Sequence, residues 1–332
     1  MDLPRVVVTY RADQDIRQAI DEGLGGAGSV VFLADLAPGE RVAALEGADA
    51  VLAWNLDAEL QPDEFKHLGR VGLIQFVSAG ADHIPFDRLP SRVPVATNVG
   101  AYAAPMAEHV LAMALALAKR LPQQHAKLAR GEFDQRTLTK AVRGSVVGIL
   151  GFGGIGQACA DLFDALGASI HAINRSGRTD RPVEFVGTLD DLDTVLRAAD
   201  VLVISIPLTR ATRGLVGRRE LDLMKPDAIL VNVARGAIVD EAALYEHLRD
   251  RPEFSAGIDA WWDEPQGDDE PFRTAYPFLD LPNVLGSPHN SALTPGATVE
   301  ANRRAAQNVL RHLRSEPVAG PVRPEDYAGS RG

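Results

Sequence analysis

Residues 145–178 constrain the fold of this chain more than any other segment. They open with a short, β-branched apolar run at residues 145–150, which predicts a buried strand. Residues 151–156 then read G-x-G-x-x-G, and residues 157–166 carry apolar side chains at helical spacing. A second apolar run, at residues 169–173, predicts a second strand. Strand, glycine turn, helix and strand in this order are typical of the βαβ unit that binds a dinucleotide.

The glycines of this turn have separate physical roles: a tight turn, close backbone approach to a pyrophosphate, and close packing of helix on strand. The alternative is a tight βα turn without a ligand. Residues 23–28 fit the same pattern, but a helix-like segment precedes them and a strand-like segment follows. No helix N-terminus would then face a phosphate, so we interpret residues 23–28 as a flexible loop. The predicted cofactor contacts in the turn are Gly151, Gly153, Gly154, Ile155 and Gly156.

Length and charge limit the class of protein. A chain of 332 residues is long enough for two domains, each with its own core. With 34 basic and 45 acidic residues, its net charge of −11 argues against nucleic acid and anionic membrane surfaces as partners. No apolar run approaches the ~20 residues of a membrane span. The N-terminus lacks a signal-peptide layout, so we expect a cytoplasmic protein.

The cysteine count limits the chemistry further. Cys159 is the only cysteine, which excludes an internal disulfide framework and a multi-thiolate zinc site. It lies in the predicted helix after the glycine turn, where a small buried residue is expected. We predict no metal site.

Strand-like and helix-like segments alternate through residues 5–98 and again after the glycine turn. This alternation predicts an α/β fold with two doubly wound parallel-sheet domains. The predicted boundaries place residues 1–99 with 287–332 in one domain, and residues 100–286 in the dinucleotide-binding domain. A long helix is expected from about Pro105 through Leu117. A second amphipathic helix at residues 295–313 can return to the first domain.

Residues 122–143 are polar and mixed, and they match neither the helical nor the strand period. They could form a solvated connection between two elements. The interpretation that we favour is an arm that packs on a second subunit.

A small-residue turn follows the predicted strand at residues 73–77. Ligands of open α/β sheets bind beyond the carboxyl ends of strands. The backbone N–H groups of Ala79 and Gly80, next to Ser78, could therefore hold a substrate carboxylate. An ordinary glycine turn is the alternative.

Three strand ends in the second half carry side chains suited to hydride-transfer chemistry. Arg235 offers a planar fork that matches a carboxylate. Asp259 and Glu264 follow another strand, and His289 lies just beyond a third. A histidine paired with a carboxylate can act as a general acid–base near neutral pH. Read singly, Arg235 could pair with a surface carboxylate, and Glu264 could cap a turn.

Two further histidines are rivals for the acid–base role. His83 and His109 lie near the predicted crevice. The order and spacing of the three strand ends behind the glycine turn support these ends as a set, and they leave His83 and His109 open as alternatives.

With these motifs in order, the chain resembles the D-isomer-specific 2-hydroxyacid dehydrogenase family, which includes glyoxylate/hydroxypyruvate reductases. The motifs that carry the resemblance run along nearly the whole chain: residues 78–80, 106–109, 151–156, 207–209, 232–236, 259–265 and 287–289. The resemblance implies two Rossmann-like domains, the first of them flavodoxin-like, with the active site in the cleft between them. It also implies a homodimer built around the dinucleotide-binding domain.

The resemblance also implies roles for individual residues. Arg235 would bind the substrate carboxylate and carbonyl, Glu264 would orient the histidine, and His289 would be the acid–base. Asp259 would lie near the nicotinamide, and the turn at Ser78, Ala79 and Gly80 would meet the substrate carboxylate. Further cofactor contacts are expected at Pro207, Thr212, Val233 and Ala234.

The chain departs from the family pattern at Trp261 and Trp262, where an apolar-Phe pair is usual. These larger rings leave the identity of the substrate open. Glu264 argues against formate dehydrogenase activity, for which glutamine is typical. A glycine turn at residue 151 argues against L-lactate and malate dehydrogenases, which place it near the N-terminus.

The end of the second strand bears on the choice of cofactor. NAD-binding units usually place there a carboxylate that accepts hydrogen bonds from the ribose hydroxyls. This chain has the neutral Asn174, followed by Arg175, Ser176 and Arg178, whose donors suit a 2′-phosphate. The pattern favours NADP(H). NAD(H) is possible if Arg175 stacks on the adenine and Asn174 meets the ribose.

The sequence thus predicts an oxidoreductase that interconverts a 2-keto acid and a D-2-hydroxy acid, without indicating which keto acid. A nucleotide-sensing, corepressor-like scaffold of the same fold is the alternative. The chain shows no long partner-binding tail, which favours the enzyme.

Overall fold

A computed structural model describes residues 3–265, 267 and 270–327 of the chain. The chain divides into two compact units, Met1–Tyr102 with Leu293–Gly332, and Ala103–Ala292. Both units contain a parallel sheet covered by helices, so the predicted α/β class with two parallel-sheet domains is confirmed. The predicted boundaries after residues 99 and 286 lie a few residues before these divisions and stay predictions.

The first unit is built on a five-stranded sheet. Its strands pair in parallel in the order β2-β1-β3-β4-β5. The residues of β3 and β4 are fully buried, because helices cover both faces of the sheet. In chain order its elements are β1 (Arg5–Val8), α1 (Gln14–Leu24), β2 (Ser29–Phe32), α2 (Pro38–Glu46), β3 (Ala50–Ala53), α3 (Leu56–Glu59), β4 (Leu73–Phe76) and β5 (Val95–Ala96).

The second unit holds a seven-stranded parallel sheet. In chain order its elements are α4 (Ala103–Ala118), α5 (Leu121–Ala129), β6 (Val146–Leu150), α6 (Gly154–Ala165), β7 (Ser169–Ile173), β8 (Phe185–Gly187), α7 (Leu192–Ala198), β9 (Val201–Ile204), α8 (Arg218–Leu223), β10 (Ile229–Asn232), α9 (Glu241–Asp250), β11 (Ser255–Ile258) and β12 (Val284–Gly286). The strand order is β12-β11-β10-β9-β6-β7-β8. The winding direction reverses between β6 and β9, and such a switch point is where open α/β sheets bind ligands.

The last helix, α10 (Ala297–Leu313), packs on α1 within the first unit. Buried polar side chains help to fix it there. Asn98 donates from Nδ2 to the Ala301 carbonyl at 2.8 Å, and the Tyr10 hydroxyl bonds the Asn302 side chain. The helix predicted over residues 295–313 is therefore present, beginning two residues later.

Residues 121–129 form a helix where the sequence showed neither period. None of the residues of α5 is buried, so packing imposes no apolar stripe that a periodicity search could detect. Pro122 near its start is compatible with a helical first turn. The short elements α3, α8 and β8 were also not predicted from the sequence. Residues 65–70 form a 3₁₀ helix.

Cys159 is buried in α6, and burial raises the pKa of its thiol to about 12. This confirms its interpretation as a small core residue. None of the helices in the described part of the chain is both long and apolar enough to cross a membrane. Those same residues contain no group of three His, Cys, Asp or Glu side chains placed to hold a metal ion.

Candidate active site

The glycine turn connects β6 to α6 at the switch point of the second sheet. Gly151 has φ +99°, and a Cβ there would lie 2.5 Å from the Ile206 backbone nitrogen. A Cβ on Gly156 would lie 2.2 Å from the Gly151 carbonyl oxygen. Both positions therefore require glycine for backbone packing. A Cβ on Gly153 would meet nothing within 4 Å, so the space before the helix is open.

The N-terminus of α6 is suited to an anion. Its N-cap residue is Gly153, which has no side chain to accept from the first N–H groups of the helix. Those groups, together with the helix dipole, are suited to a phosphate. The space, the required glycines and the uncapped helix fit the pyrophosphate of a dinucleotide. The predicted contacts Gly154 and Ile155 lie in the first turn of this helix.

Asn174 directly follows β7, as the sequence predicts, but its side-chain amide makes its hydrogen bonds within the turn that it begins. Its Oδ1 accepts from the backbone N–H groups of Ser176 at 3.0 Å and Gly177 at 2.7 Å. Its Nδ2 donates to the Arg178 carbonyl at 2.8 Å. In this structure Asn174 therefore fixes the backbone that carries Arg175 and Ser176. Its expected contact with a ribose stays a prediction.

The remaining predicted cofactor contacts follow β9 and β10, at the same edge of the sheet. Thr212 is buried, and its hydroxyl donates to the Pro207 carbonyl at 2.7 Å. Val233 and Ala234 come directly after β10, where the Ala234 N–H donates to Asn232 Oδ1 at 3.1 Å. The structure thus brings these four positions to the carboxyl ends of β9 and β10, on one side of the switch point.

Arg235 follows the same strand. Its backbone carbonyl accepts from Asn232 Nδ2 at 2.9 Å, and its Nη1 donates to the Ala234 carbonyl at 2.7 Å. The next residue, Gly236, lies against the backbone of Trp261, because a Cβ there would come within 2.4 Å of that residue's carbonyl. This contact ties the turn after β10 to the turn after β11.

His289 and Glu264 form a close pair in the second unit. His289 Nδ1 lies 2.7 Å and 2.8 Å from the two carboxylate oxygens of Glu264, and each side chain is 32% exposed. Glu264 Oε1 also accepts from the Trp261 N–H at 2.8 Å. An Nδ1–H donated to this carboxylate leaves Nε2 as the atom that can exchange a proton with a ligand.

The electrostatics of Glu264 match this pairing. Burial acts to raise the pKa of its carboxyl. The hydrogen bond and positive charge of His289, the Trp261 N–H and the charge of Arg235 outweigh burial, and they hold that pKa below its usual value. Glu264 is therefore an anion at neutral pH and stabilises a protonated imidazole beside it.

Asp259 anchors the segment that carries His289. Its side chain is fully buried and accepts from the Ser287 hydroxyl at 2.5 Å, the Asn290 N–H at 3.1 Å and the Ser291 N–H at 3.3 Å. The His289 N–H donates to the Asp259 carbonyl at 3.0 Å. These bonds hold His289 at φ +50°, a left-handed conformation that is uncommon outside glycine.

His109 belongs to this anchor. Its Nε2 lies 2.9 Å from the Ser287 hydroxyl and 3.8 Å from Asp259 Oδ1. Sequence reasoning treated His109 as a rival to His289 and counted residues 106–109 and 287–289 among the family motifs, but it gave neither His109 nor Ser287 a role in this anchor. The available signal was a carboxylate directly after a buried strand, which needs donors nearby.

The predicted substrate turn lies in the first unit, after β4. The Ser78 hydroxyl is 3.2 Å from the Gly80 carbonyl and 3.3 Å from His83 Nε2, and the Ser78 carbonyl accepts from the Asn98 N–H. Ala79 is the residue between Ser78 and Gly80. Contact of this turn with the carboxylate bound by Arg235 stays a prediction.

A Rossmann-type sheet with a glycine turn and a histidine–glutamate pair at its carboxyl edge is the arrangement of a nicotinamide-dependent dehydrogenase. Residues 111–291 match the model of the "D-isomer specific 2-hydroxyacid dehydrogenase, NAD binding domain". The chain belongs to the D-isomer specific 2-hydroxyacid dehydrogenase family, which confirms the resemblance drawn from the motifs.

Curated relatives extend the match beyond this domain. The chain is 30% identical over 319 residues to D-3-phosphoglycerate dehydrogenase of Methanocaldococcus jannaschii, covering 94% of the chain and 58% of the relative. It thus spans little more than half the length of that protein. It is also 30% identical to glyoxylate/hydroxypyruvate reductase B of Pectobacterium carotovorum, covering 97% of the chain and 98% of the relative.

Solved structures share the fold. An NADPH-dependent glyoxylate/hydroxypyruvate reductase from Sinorhizobium meliloti, crystallised with NADP and sulfate, is 25% identical, with a TM-score of 0.78. The similarity covers 98% of this chain and 99% of that one.

Proposed function

We propose that this protein is an NAD(P)H-dependent reductase that converts a 2-keto acid to a D-2-hydroxy acid, and catalyses the reverse oxidation. The observation that carries the proposal is the 2.7 Å contact between His289 Nδ1 and the Glu264 carboxylate. This pair lies in the same unit as the glycine turn, which suits a dinucleotide. Membership of the family supports the same assignment.

The bound cofactor supplies the hydride at nicotinamide C4, and the residues of the chain bind the acid and move the proton. Arg235 pairs with the substrate carboxylate through its guanidinium fork. His289, protonated at Nε2, donates a proton to the carbonyl oxygen as that oxygen gains charge. Glu264 holds the imidazole in orientation through Nδ1 and stabilises its positive charge.

A panel of keto acids tests the proposal. Purified full-length protein is incubated with glyoxylate, hydroxypyruvate, pyruvate and phenylpyruvate, with NADPH or NADH, and loss of cofactor absorbance is followed. We expect turnover of at least one acid, and we expect His289→Ala to lower kcat by about 10²–10⁴-fold. Cofactor binding without turnover of any acid would instead support the scaffold function.

We further propose NADP(H) as the preferred cofactor. The turn after β7 carries Arg175 and Ser176, and residues 174–179 include no carboxylate that would repel a 2′-phosphate. The S. meliloti structure with NADP is consistent with this, while the matching family model is described as NAD binding. The test compares kcat/KM for NADPH and NADH, and repeats the comparison with Arg175→Ala. A preference for NADH, or an unchanged NADPH affinity in the variant, would contradict this assignment.

We also propose a homodimer formed through the second unit. Large apolar side chains are exposed in and after α5: Leu121, Leu128, Phe133 and Leu138. Contact with a second copy would remove them from water. Light scattering should give twice the chain mass, and Phe133→Ser combined with Leu138→Ser should lower it. Cytoplasmic localisation, and the expected lack of nucleic acid and membrane partners, stay sequence-based predictions.

A further inference from the structure

His83 contacts two loops at the carboxyl edge of the first sheet. Its Nε2 lies 3.1 Å from the Trp54 carbonyl oxygen, in the loop after β3, and 3.3 Å from the Ser78 hydroxyl, in the turn after β4. Because a carbonyl oxygen only accepts hydrogen bonds, Nε2 carries a hydrogen, which the hydroxyl oxygen shares. Ser78 then donates its own hydrogen to the Gly80 carbonyl at 3.2 Å. One imidazole N–H therefore connects the two loops.

The groups on both sides of this imidazole are held in place. Glu59 accepts from the Asn55 N–H at 2.6 Å and from the Trp54 N–H at 3.2 Å, so a carboxylate fixes the loop after β3. The His83 ring packs edge-on against Phe76 of β4, with ring centroids 5.7 Å apart. Phe76 is fully buried. The ring thus has a rigid support on one side and a fixed acceptor on the other.

The turn that His83 contacts has two N–H groups without a backbone partner. Among the residues that the structure describes, the N–H groups of Ala79 and Gly80 donate to no backbone acceptor. Both residues are half-buried. Successive N–H groups of this kind suit a carboxylate if the turn keeps its shape. The Asn98 N–H holds the Ser78 carbonyl at 2.8 Å, and the His83 contact holds the Ser78 side chain.

We propose that His83 is a positioning residue, which acts through Ser78 to fix the turn at residues 78–80 for binding of the substrate carboxylate. The inference rests on the proposed reductase function and on the predicted contact of this turn with that carboxylate. It gives a role to a histidine that the sequence left as a rival of His289. Because the Nε2–H of His83 is donated to the protein, this ring affects substrate binding and not the proton transfer.

Steady-state kinetics of His83→Phe, with the most rapidly reduced keto acid of the panel, test this role. Phenylalanine keeps a ring that can pack on Phe76 and removes the N–H donor. We expect KM for the keto acid to rise by about 3–10-fold, equivalent to one neutral hydrogen bond, while kcat and KM for the cofactor change by less than about 2-fold. His83→Gln returns an N–H donor and should restore KM. His67→Phe is the matched control, because His67 lies in the same unit and contacts Glu46 instead of the turn.

A second variant, Ser78→Ala, tests the same contact without changing the imidazole, so it also serves if His83→Phe does not fold. It should raise KM for the keto acid in the same way. If His83 acts through Ser78, the double variant should have the KM of His83→Phe alone, because the two substitutions remove one shared contact.

Four results would overturn the inference and leave the reductase function standing. They are an unchanged KM in both single variants, additive increases in the double variant, a His83→Gln variant as impaired as His83→Phe, and a fall in kcat of the ~10²–10⁴-fold expected for a lost acid–base. Absence of turnover by the wild-type protein, with cofactor still bound, would instead contradict the proposed function itself.

Discussion

The contact between Glu264 and His289 makes a quantitative prediction for Glu264→Gln. Glutamine keeps the size of the side chain but removes the negative charge 2.7 Å from His289 Nδ1. An opposite charge at such a distance shifts a protonation equilibrium by about 1–3 pH units. Because both side chains are 32% exposed, solvent screens the pair, and we expect the effect to lie at the low end of this range.

The direction in which the pH profile moves depends on which protonation state of the imidazole is active. Reduction needs a protonated imidazole, and the variant loses the anion that favours this form. The alkaline limb of the kcat/KM profile for reduction should therefore move to lower pH. The oxidation direction needs the neutral imidazole, so its rise should also move to lower pH.

Initial rates over a pH series in both directions measure this shift. Glu300→Gln is the control, because it removes another glutamate charge, one that pairs with Arg303 in the first unit. We expect that control to leave both profiles in place. Profiles of Glu264→Gln that coincide with those of the wild type would refute the electrostatic role of this carboxylate.

Three further variants test other parts of the structure. Gly156→Ala would place a Cβ 2.2 Å from the Gly151 carbonyl oxygen, so it should lower stability by about 1–3 kcal/mol and weaken binding of both cofactors, measured by denaturant unfolding and fluorescence titration. Arg235→Lys keeps the charge but loses the fork, and should raise KM for the keto acid more than it lowers kcat. Burial, assisted by the charge of Arg251, lowers the pKa of His247 to about 4. The unfolded chain then binds more protons than the folded chain between pH ~6.5 and ~4, so the free energy of unfolding should fall by about 2–3 kcal/mol as the pH decreases through that window. His247→Leu should reduce this fall, measured as the difference between the free energies of unfolding in urea at pH ~6.5 and pH ~4.

The sheets and the glycine turn could be predicted from the sequence because their signals are local. Buried parallel strands are continuous apolar runs, and residues 146–150 and 201–204 illustrate this pattern. The turn at residues 151–156 is recognisable because glycine is the residue that tolerates the close backbone approaches found there. The pairing of His289 with Glu264 was expected from the family resemblance, and the structure places the two side chains in contact.

The features that were not predicted from the sequence either depend on contacts between residues distant in sequence or lack the buried contacts that leave a sequence pattern. Helix α5 has no buried residue, so no stripe marks it. The function of Asp259 as an anchor depends on donors at residues 287, 290 and 291 and on His109, which the chain brings together from separate elements. Sequence reasoning placed Asp259 beside the nicotinamide, which remains a prediction.

The anchor explains why His289 can keep an uncommon backbone conformation. A left-handed φ of +50° costs a non-glycine residue on the order of 1 kcal/mol, which must come from the surrounding structure. The buried carboxylate of Asp259 offsets this cost because it accepts three hydrogen bonds, two of them from the backbone N–H groups directly after His289. The two carboxylates therefore have different roles: Asp259 fixes the backbone conformation of His289, and Glu264 orients its imidazole ring and stabilises the ring's positive charge. Loss of Asp259 should consequently misplace the imidazole, whereas loss of the Glu264 charge should change its protonation.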